Sequence, residues 1–447
     1  MGARLTDSAA YAHLWATDET HALFDERARW QQWLDILVAL AAAQADLAVV
    51  PPSSAETIAE LARVDNLDLD YLAEETRRTA HSTLGLIRAL QRILPDDVAE
   101  HVYYGATVQD LTDTWFALTM RDVGDLLDRD VRRLVGAVTS LAARHERTVM
   151  PGRTHAQPGA PISFAFKLAT WADELGRHRE RLHEGRPRWS TVQLGGAVGT
   201  LGFYGEVGPA LRARFAERLG LADPGIAWFT SRDRISEFAA VMTGITGTLA
   251  RVGNEVMELQ RPEIGELREA VPVDVVGSIM MPHKRNPESS EHLDTLARLT
   301  RAHALVLLEG QVQIHERDGR AWKAEWVALP EVCLLTSASL RLAITCVEGL
   351  EVDADRMSAN VGAAEGLLAS ERILGMLSGR LGKHRAQAAL RDALGAAGRD
   401  RRSAADALEA AGLMTRAEAE SAVADPIAPG DTAAVRSVLG RLGEDSC

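Results

Sequence analysis

Apolar residues recur every three to four positions along four long stretches of the chain. This spacing places them along one face of an α-helix, because a helix completes a turn in 3.6 residues. Helices of this length pack side by side as an elongated bundle rather than within a small globule. The four stretches run from Thr112 to Arg147, from Ile235 to Leu259, from Leu293 to Val312 and from Leu334 to Val347.

Shorter helical patterns flank these stretches on both sides. One runs from Thr20 to Val49 and ends at Pro51-Pro52, and short patterns interrupted by glycine follow Glu348. Because runs of strand-favouring residues are scarce, the sequence predicts an all-α fold. We predict three helical domains, namely an N-terminal domain over residues 1–108, a central long-helix bundle over 109–347 and a C-terminal domain over 348–447.

Several of the long stretches carry apolar residues on more than one helix face. A helix with this pattern is buried on several sides. We therefore expect the bundle to be buried a second time, between subunits of an oligomer.

Composition limits the expected partners and cofactors. The formal net charge is −14, which argues against nucleic acid as a partner but allows a local basic pocket for a small anion. Cys333, Cys346 and Cys447 lack metal-ligand spacing. The glycine-rich run QLGGAVGT, residues 193–200, does not follow a predicted strand, as a dinucleotide-binding turn would. We therefore expect no metal and no cofactor.

Neither a membrane nor a secretory signal is expected from the sequence. The chain begins MGARLTDSAAYAHLW, without an apolar signal core. We identify no apolar stretch long enough to span a bilayer. The expectation is a cytoplasmic protein with no membrane partner.

The segment VGSIMMPHKRNPESSEHLD, residues 276–294, has the composition of a loop between two long helices. Its prolines restrict the backbone, and Lys284 and Asn286 lie two residues apart. Lysine supplies a positive charge and asparagine a neutral donor, a pair suited to holding a carboxylate. A basic connecting loop without a function is the alternative interpretation.

Three other segments contain candidate polar residues. They are TAHS at residues 79–82, YYGATVQDLTDT at 103–114 and GRTHAQPGAP at 152–161. Considered alone, each has a structural alternative, since threonine and aspartate cap helices and a lone histidine is usually structural or exposed. A resemblance to a known family strengthens the functional interpretation.

The string GSIMMPHKRNP resembles the signature loop of the fumarase/aspartase superfamily, which usually reads G-S-S-x-M-P-x-K-x-N-P. Every key position is present except the second serine, which is Ile279. The resemblance implies that Ser278 is the base that removes a proton. It also implies that Lys284 and Asn286 hold the substrate carboxylate.

Two further segments are similar to signature regions of this superfamily. Arg-Thr-His in GRTHAQPGAP matches R-T-H-x-Q, which implies that Thr154 contacts a carboxylate and that His155 is held by Glu291. Such a histidine suits proton donation or activation of water. Thr107 and Gln109 match a substrate-binding turn in which Val108 replaces a serine.

Two weaker matches add candidates. Thr79-Ala80-His81-Ser82 resembles the T-x-H-D stretch of adenylosuccinate lyases, with Ser82 in place of the acid. This resemblance implies a second catalytic histidine, His81, near the leaving group, and a substrate contact from Thr79. Arg232, in Ser-Arg-Asp-Arg, also matches a family segment, which implies a substrate contact from Arg232. The stretch His-Glu-Arg-Asp at 315–318 matches another family segment, and solvated helix ends are the alternative for both.

The resemblance covers nearly the whole chain and implies a lyase without a cofactor. It implies a homotetramer whose active sites combine residues of three subunits. The predicted reaction is β-elimination from a small substituted succinate, with carbon–nitrogen cleavage that releases fumarate and an amine, ammonia or nitrite.

Three alternatives to this function stay open. The W-x-x-E-W pattern of Trp322, Glu325 and Trp326 is shared with 3-carboxymuconate cycloisomerases. An adenylosuccinate lyase is less favoured, because the N-terminal Arg-Tyr pair and the serine-rich phosphate-binding stretch are missing. A non-enzymatic helical scaffold, similar to the lens crystallins, is the third, and intact Ser278 and His155 argue against it.

Overall fold

The computed structural model describes residues 4–270, 278–281, 283–364, 366–400, 402–424 and 426–444. Its regular structure is almost entirely helical, which confirms the predicted all-α fold. The helices are α1 (Asp18–Phe24), α2 (Glu26–Asp46), α3 (Pro52–Leu61), α4 (Leu69–Thr79), α5 (Leu84–Gln91), α6 (Asp96–Ala99), α7 (Val108–Arg144), α8 (Phe164–Trp189), α9 (Gly208–Leu219), α10 (Asp233–Gln260), α11 (Glu288–Glu309), α12 (Gly319–Glu348), α13 (Ala354–Gly362), α14 (Ser370–Leu381), α15 (Lys383–Asp400), α16 (Ala404–Ala410), α17 (Arg416–Ala424) and α18 (Pro429–Glu444).

Short strands and 3₁₀ helices complete the described part of the chain. The strands β1 (Val149–Thr154) and β2 (Gln157–Ser163) form an antiparallel hairpin, and β3 (Leu267–Arg268) pairs antiparallel with β4 (Glu351–Val352). The 3₁₀ helices are Leu5–Asp7, Ala12–Leu14, Val64–Asn66, Gly205–Val207 and Leu367–Ala369.

The four long apolar stretches correspond to α7, α10, α11 and α12, with shifted ends. The largest shift is in α12, which begins at Gly319 rather than near Leu334. Pro330 lies inside this helix. A proline removes one helical hydrogen bond but does not have to end a helix whose remaining bonds form.

The predicted N-terminal stripe is two helices rather than one. Asp25 has an extended ψ of 142°, which ends α1. Its carboxylate then accepts hydrogen bonds from the backbone N–H groups of Arg27 and Ala28, which caps α2. The periodicity of apolar residues did not reveal this break, because it continues across the cap.

The chain divides into two compact units. Unit 1 comprises Met1–Asp130, His178–Gly247 and Thr295–Arg341. Unit 2 comprises Val131–Arg177, Thr248–Asp294 and Leu342–Cys447. The division falls within long helices, and the predicted boundaries of three domains stay a prediction.

The core of unit 1 is rich in tryptophan. Trp33 packs edge-on against Trp115 and Trp326, with ring centroids 6.1 and 5.8 Å apart. The indole N–H of Trp115 donates to Gln32 at 2.7 Å. Edge-on aromatic pairs of this kind contribute about 0.5–1.5 kcal/mol beyond the burial of their surface.

Unit 2 joins the β1–β2 hairpin to the C-terminal helices. The Asp431 carboxylate accepts hydrogen bonds from the Ser163 backbone N–H at 2.7 Å and from its hydroxyl at 2.6 Å. These charge-assisted bonds attach α18 to the end of β2. Beside them, a separate apolar cluster includes Ile373, Leu377, Ala386, Leu390, Leu408, Met414 and Ala419.

The apolar character of α12 changes one sequence-based expectation. By length and composition, Gly319–Glu348 is apolar enough to cross a membrane, although the sequence analysis identified no such stretch. Within the protein, 78% of its most apolar window is buried. Core helices of soluble proteins have the same property. A cytoplasmic location stays a prediction.

Candidate active site

The signature loop places Ser278 in a tight turn before α11. The Ser278 hydroxyl oxygen accepts a hydrogen bond from the Met281 backbone N–H at 3.1 Å, and Ser278 is half-buried. The Met281 carbonyl in turn accepts from the Lys284 backbone N–H at 2.9 Å. Gly277 and Pro282 lie outside the described residues. The turn therefore gives the serine oxygen a hydrogen-bond donor of its own.

The two predicted carboxylate-binding residues follow this turn. Lys284 is exposed, and Asn286 is half-buried. The Asn286 side-chain amide donates to Glu288 at 3.1 Å. Ser278, Lys284 and Asn286 thus share one short segment that leads directly into α11.

Polar side chains fix the end of the signature loop that leads into α11. The Gln260 amide donates to the Arg285 carbonyl at 3.2 Å, and its oxygen accepts from the Glu269 backbone N–H at 2.8 Å. The buried Glu269 carboxylate accepts from the backbone N–H groups of Ser289 and Ser290 at 3.0 and 2.8 Å, and from the Ser290 hydroxyl. A carboxylate at a helix N-terminus is stabilising. The sequence analysis missed this anchor, because its residues are separated along the chain and form no motif.

Thr154 and His155 lie at the tip of the β1–β2 hairpin, not at a helix start. His155 has a φ of 52° and Ala156 a φ of 61°, the left-handed conformation of a tight turn. Both Thr154 and His155 are exposed. The register of the hairpin shifts between Gly152 and Arg153.

An ion pair between the half-buried Arg153 and the buried Glu266 fixes the base of this tip. The Arg153 guanidinium donates to both carboxylate oxygens of Glu266, at 2.7 and 2.8 Å. The Asn360 amide donates to the same carboxylate at 2.8 Å. A bidentate pair of this kind sets geometry as well as charge. The arginine of R-T-H therefore holds the hairpin, and the two residues after it are free to face solvent.

Glu291 lies on the first turn of α11, also in unit 2. Its backbone N–H donates to the Pro287 carbonyl at 3.0 Å, and the residue is exposed. The pairing of Glu291 with His155 stays a prediction from the resemblance.

The other candidates lie in unit 1, where Thr107 starts α7. Its backbone N–H donates to the Asp110 carboxylate at 2.9 Å, and its hydroxyl accepts from the Arg317 guanidinium at 2.8 Å. The Gln109 side chain is buried and donates to the Phe229 carbonyl at 2.9 Å. Thr107 and Gln109, together with Asp110 and Arg317, therefore form a polar cluster at the start of α7.

Asp110 is central to this cluster. Its carboxylate also accepts from the backbone N–H groups of Gly195 and Gly196, at 2.7 and 3.1 Å. Burial raises the pKa of Asp110 to about 7, although the three N–H donors and Arg317 act to lower it. The glycine-rich run at 193–200 thus binds a carboxylate of its own chain.

Arg232 is fully engaged by acidic side chains. Its guanidinium donates to both oxygens of Asp113 and to both oxygens of Glu325, and one nitrogen also reaches the Phe229 carbonyl. All three side chains of this ion-pair network are buried. Arg232 therefore organises unit 1 in this conformation, and its predicted contact with substrate has no support from the geometry.

In the sequence, Arg317 stands out only as part of the stretch His-Glu-Arg-Asp. In the structure it is better placed than Arg232 to contact a ligand. Its guanidinium bonds Thr107 and the Gly196 carbonyl, and it lies 4.5 Å from the centroid of the Phe229 ring. Its Nε is buried without an acceptor among the described residues. The sequence alone does not distinguish these two arginines, because residues far away along the chain determine how deeply each arginine is buried and which groups it contacts.

The segment TAHS, residues 79–82, begins at the last residue of α4. The Thr79 hydroxyl donates to the Glu75 carbonyl at 2.8 Å, and Ala80 is left-handed with a φ of 51°. His81 is exposed, and its Nδ1 accepts from the Thr83 backbone N–H at 3.4 Å. The turn after α4 therefore presents His81 to solvent.

The structure thus assembles the candidates into two sets. One set comprises Ser278, Lys284, Asn286, Glu291, Thr154 and His155 in unit 2, and the other comprises Thr79, His81, Thr107, Gln109 and Arg232 in unit 1. Among the residues described, no group of three or more His, Cys, Asp or Glu side chains is arranged to hold a metal ion.

Comparison with known proteins identifies the family. The sequence profile of a family described as "Lyase" matches residues 14–299. The chain is 39% identical over 386 residues to the N-acetyl-S-(2-succino)cysteine lyase of Dickeya dadantii, covering 86% of this chain and 85% of that protein. It is 41% identical over 370 residues to the 3-carboxy-cis,cis-muconate cycloisomerase of Pseudomonas aeruginosa, covering 82% and 80%.

Solved structures agree with this result. The 3-carboxy-cis,cis-muconate lactonizing enzyme of Pseudomonas putida superposes with a TM-score of 0.89 at 31% identity, covering 98% of this chain and 100% of that one. The chain therefore belongs to the lyase family of the fumarase/aspartase superfamily. This confirms the resemblance inferred from the signature loop.

Proposed function

We propose that the protein catalyses reversible β-elimination from a small 2-substituted succinate, releasing fumarate, with Ser278 as the base. The observation that carries this proposal is the segment in which Ser278, Lys284 and Asn286 precede α11. Its serine oxygen accepts a backbone N–H, and a lysine and an amide follow within a few residues.

The chemistry requires such a segment. A C–H bond beside a carboxylate is a weak acid, and its deprotonation places two negative charges on one carboxyl group. Lys284, Asn286 and backbone N–H groups stabilise that charge if they are in place before the proton moves. The Met281 N–H on the Ser278 oxygen supports the serine as base, because an alkoxide needs donors and nearby positive charge.

Bond breaking then completes the elimination. The electron pair left by the proton forms the carbon–carbon double bond, and the leaving group departs from the neighbouring carbon with its bonding pair. His155, held by Glu291, is proposed to transfer a proton to a leaving group that requires one, and Thr154 to bind a carboxylate. Thr107 and Gln109 of another subunit complete the site in the proposed cytoplasmic homotetramer.

Sulfur is the leaving atom that the relatives favour. The sequence alone led to carbon–nitrogen cleavage, which stays a prediction, while the Dickeya dadantii relative is named for a thioether of succinate. A thiol has a pKa of about 8.5, so it can leave as thiolate without prior protonation, unlike an amine. We therefore propose a succinylated thiol as the substrate class.

The proposal is tested in the direction of addition. The protein is mixed with fumarate and either N-acetylcysteine, ammonia, nitrite or AMP, and loss of fumarate absorbance is followed. Thiol-dependent loss of fumarate, with formation of the thioether, is expected. Efficient reaction with ammonia, nitrite or AMP but not with thiol contradicts the choice of sulfur, and no reaction with any partner contradicts fumarate release.

A cycloisomerase is the second candidate, favoured by the 41% identity to the Pseudomonas aeruginosa enzyme. That reaction also forms or breaks a bond beside a carboxylate, so the same proposed residues serve it. Turnover of 3-carboxy-cis,cis-muconate in the absence of thiol activity would favour this alternative.

A further inference from the structure

A cavity in unit 1 is lined by three tryptophans. Its volume is about 480 Å³, within the usual range for small-molecule sites. It lies among the start of α2, the face of α4, the turn after α4 and the first half of α12. We call it the tryptophan pocket, and its lining residues are Glu26, Arg29, Trp30, Trp33, Leu72, Ala73, Thr76, Arg77, Ser82, Leu86 and Trp326.

Two of these tryptophans bury a hydrogen-bond donor without an acceptor. Trp33 is 3% exposed, and within the described chain neither its indole N–H nor that of Trp326 has a partner. A buried donor without an acceptor is destabilising. Native structures therefore rarely retain one unless a water molecule or a ligand accepts its hydrogen bond. Both donors belong to residues that line the pocket, so a ligand acceptor that reaches either N–H would satisfy it.

The charged lining residues favour an anion. Arg29 pairs with Glu26 at 3.5 Å, and burial lowers the pKa of this arginine. Arg77 has no acidic partner among the residues that the structure describes. The lining thus contains two guanidinium groups, that of Arg77 exposed, and one carboxylate. Planar guanidinium groups match the geometry of a carboxylate ligand.

The pocket borders the segment that contains His81. Ser82, which lines the pocket, directly follows His81. The resemblance to adenylosuccinate lyases implies that His81 lies near the leaving group. With His81 in that role, the pocket would adjoin the part of the substrate that distinguishes one substituted succinate from another.

We propose that the tryptophan pocket binds the leaving group of the substrate and selects one that carries a carboxylate. This inference rests on the proposed function. The tryptophan rings contact the apolar part of the leaving group, while Arg77 and the indole N–H groups bind its carboxylate. Under this proposal, the succinyl half contributes to every substrate equally, and the pocket decides which thiol is accepted.

Calorimetry on the intact protein tests the site without catalysis. N-acetylcysteine is the probe, and its uncharged amide is the reference. Arg77→Met is expected to weaken binding of the acid about tenfold and leave the amide unchanged, because only the acid has the charged acceptor. Arg78→Met is the matched control, since Arg78 is on the same helix, does not line the pocket and shares Glu75 with Arg88.

A second pair of variants tests the indole donors. Trp326→Phe removes one N–H but keeps an aromatic ring in the pocket, and about fivefold weaker binding of N-acetylcysteine is expected. Trp322→Phe is its control, because Trp322 also buries an N–H that has no partner in the described part of the chain, and packs against Trp326 but does not line the pocket. Equal losses in the two variants would overturn the assignment.

Kinetics separate the pocket from the reaction itself. Two succinyl thioethers are compared, one with a carboxylate on its thiol half and one made from 2-mercaptoethanol. Arg77→Met is expected to lower kcat/KM about tenfold for the first alone. A loss shared by both substrates, or no loss, overturns the pocket proposal. If the unmodified protein cleaves neither, the proposed function fails, and N-acetylcysteine binding alone decides the pocket.

Discussion

Ser278 and Arg232 show how far the role of a single residue can be inferred from the sequence alone. Ser278 was recognised because its neighbours form a dense local motif, and its turn contains a donor for the serine oxygen. Arg232 was chosen from a short match, and it is saturated by Asp113 and Glu325. A local motif can identify a loop residue, whereas the partners of a buried arginine come from distant parts of the chain.

Lys284 gives the first prediction at this scale. Lys284→Ala removes the positive charge that we propose contacts the substrate carboxylate both before and during proton transfer. We expect KM to rise and kcat to fall together, by tenfold or more in kcat/KM, because both ground-state and transition-state binding are lost. Steady-state kinetics measure this. His283→Ala, in the same exposed turn, is the control, and unchanged kinetics in Lys284→Ala contradict the assigned role.

Asp110 gives a pH-dependent prediction. Its folded pKa of about 7 lies above the ordinary value of 3.8, so the native state holds a proton that the unfolded state releases. This contribution to stability is present below about pH 4 and is lost as the pH rises towards and through 7. Its size is on the order of a few kcal/mol.

Thermal unfolding of Asp110→Asn measures this contribution. The variant cannot ionise, so relative to the unmodified protein its melting temperature is expected to improve as the pH rises from 5 to 8. A constant difference between the two proteins across this range would show that Asp110 is ionised throughout.

Secondary-structure elements were predicted well where a single rule, the periodicity of apolar residues, determined them. The long helices α7, α10, α11 and α12 follow from apolar periodicity, and their burial in the structure agrees with it. The long helix α8 was not among the predicted stretches. The hairpin that carries His155 was not anticipated, because GRTHAQPGAP has no alternating apolar pattern. Its position depends on the Arg153–Glu266 pair, which joins residues far apart in sequence.

Substitution of Glu269 tests whether its hydrogen bonds to the N-terminus of α11 position the signature loop. Glu269→Gln removes the charge that accepts hydrogen bonds at the N-terminus of α11, so we expect a loss of about 1–2 kcal/mol in the free energy of unfolding. A lower kcat is also expected, because the loop that contains Ser278 loses one fixed end. Urea unfolding and kinetics check both. Glu258→Gln, an exposed change near the end of α10, is the control.

For the molecule as a whole, the family and the all-α fold were accessible from sequence, and the subunit arrangement stays a prediction. The observation that bears on subunit assembly is a set of exposed apolar side chains on α11 and α12 and in the connection between them. Exposed apolar side chains that form one continuous patch are unusual on the surface of a monomer and often mark interfaces. The set includes Leu305, Val312, Ile314 and Val327, exposed by 57, 76, 51 and 57%.

Light scattering tests the assembly. The unmodified protein is expected to have the mass of four chains at micromolar concentration. Val327→Glu places a charge in the apolar set and is expected to reduce the mass and the activity together, because the proposed site needs several subunits. Lys323→Glu, an exposed polar position one helical turn earlier, is the control. An active monomer contradicts a shared site.

Ser278→Ala is the most direct test of the central claim that this is a serine-base lyase. The change removes one oxygen from a half-buried loop position, so the melting temperature is expected to stay nearly constant, within about 0.5 kcal/mol in stability. Lys284 and Asn286 remain, so calorimetry should show the succinyl thioether still bound. The rate constant for fumarate release is expected to fall by about a hundredfold or more. Near-normal fumarate release by Ser278→Ala, with loss of activity in His155→Ala or His81→Ala, would contradict the account and make a histidine the base.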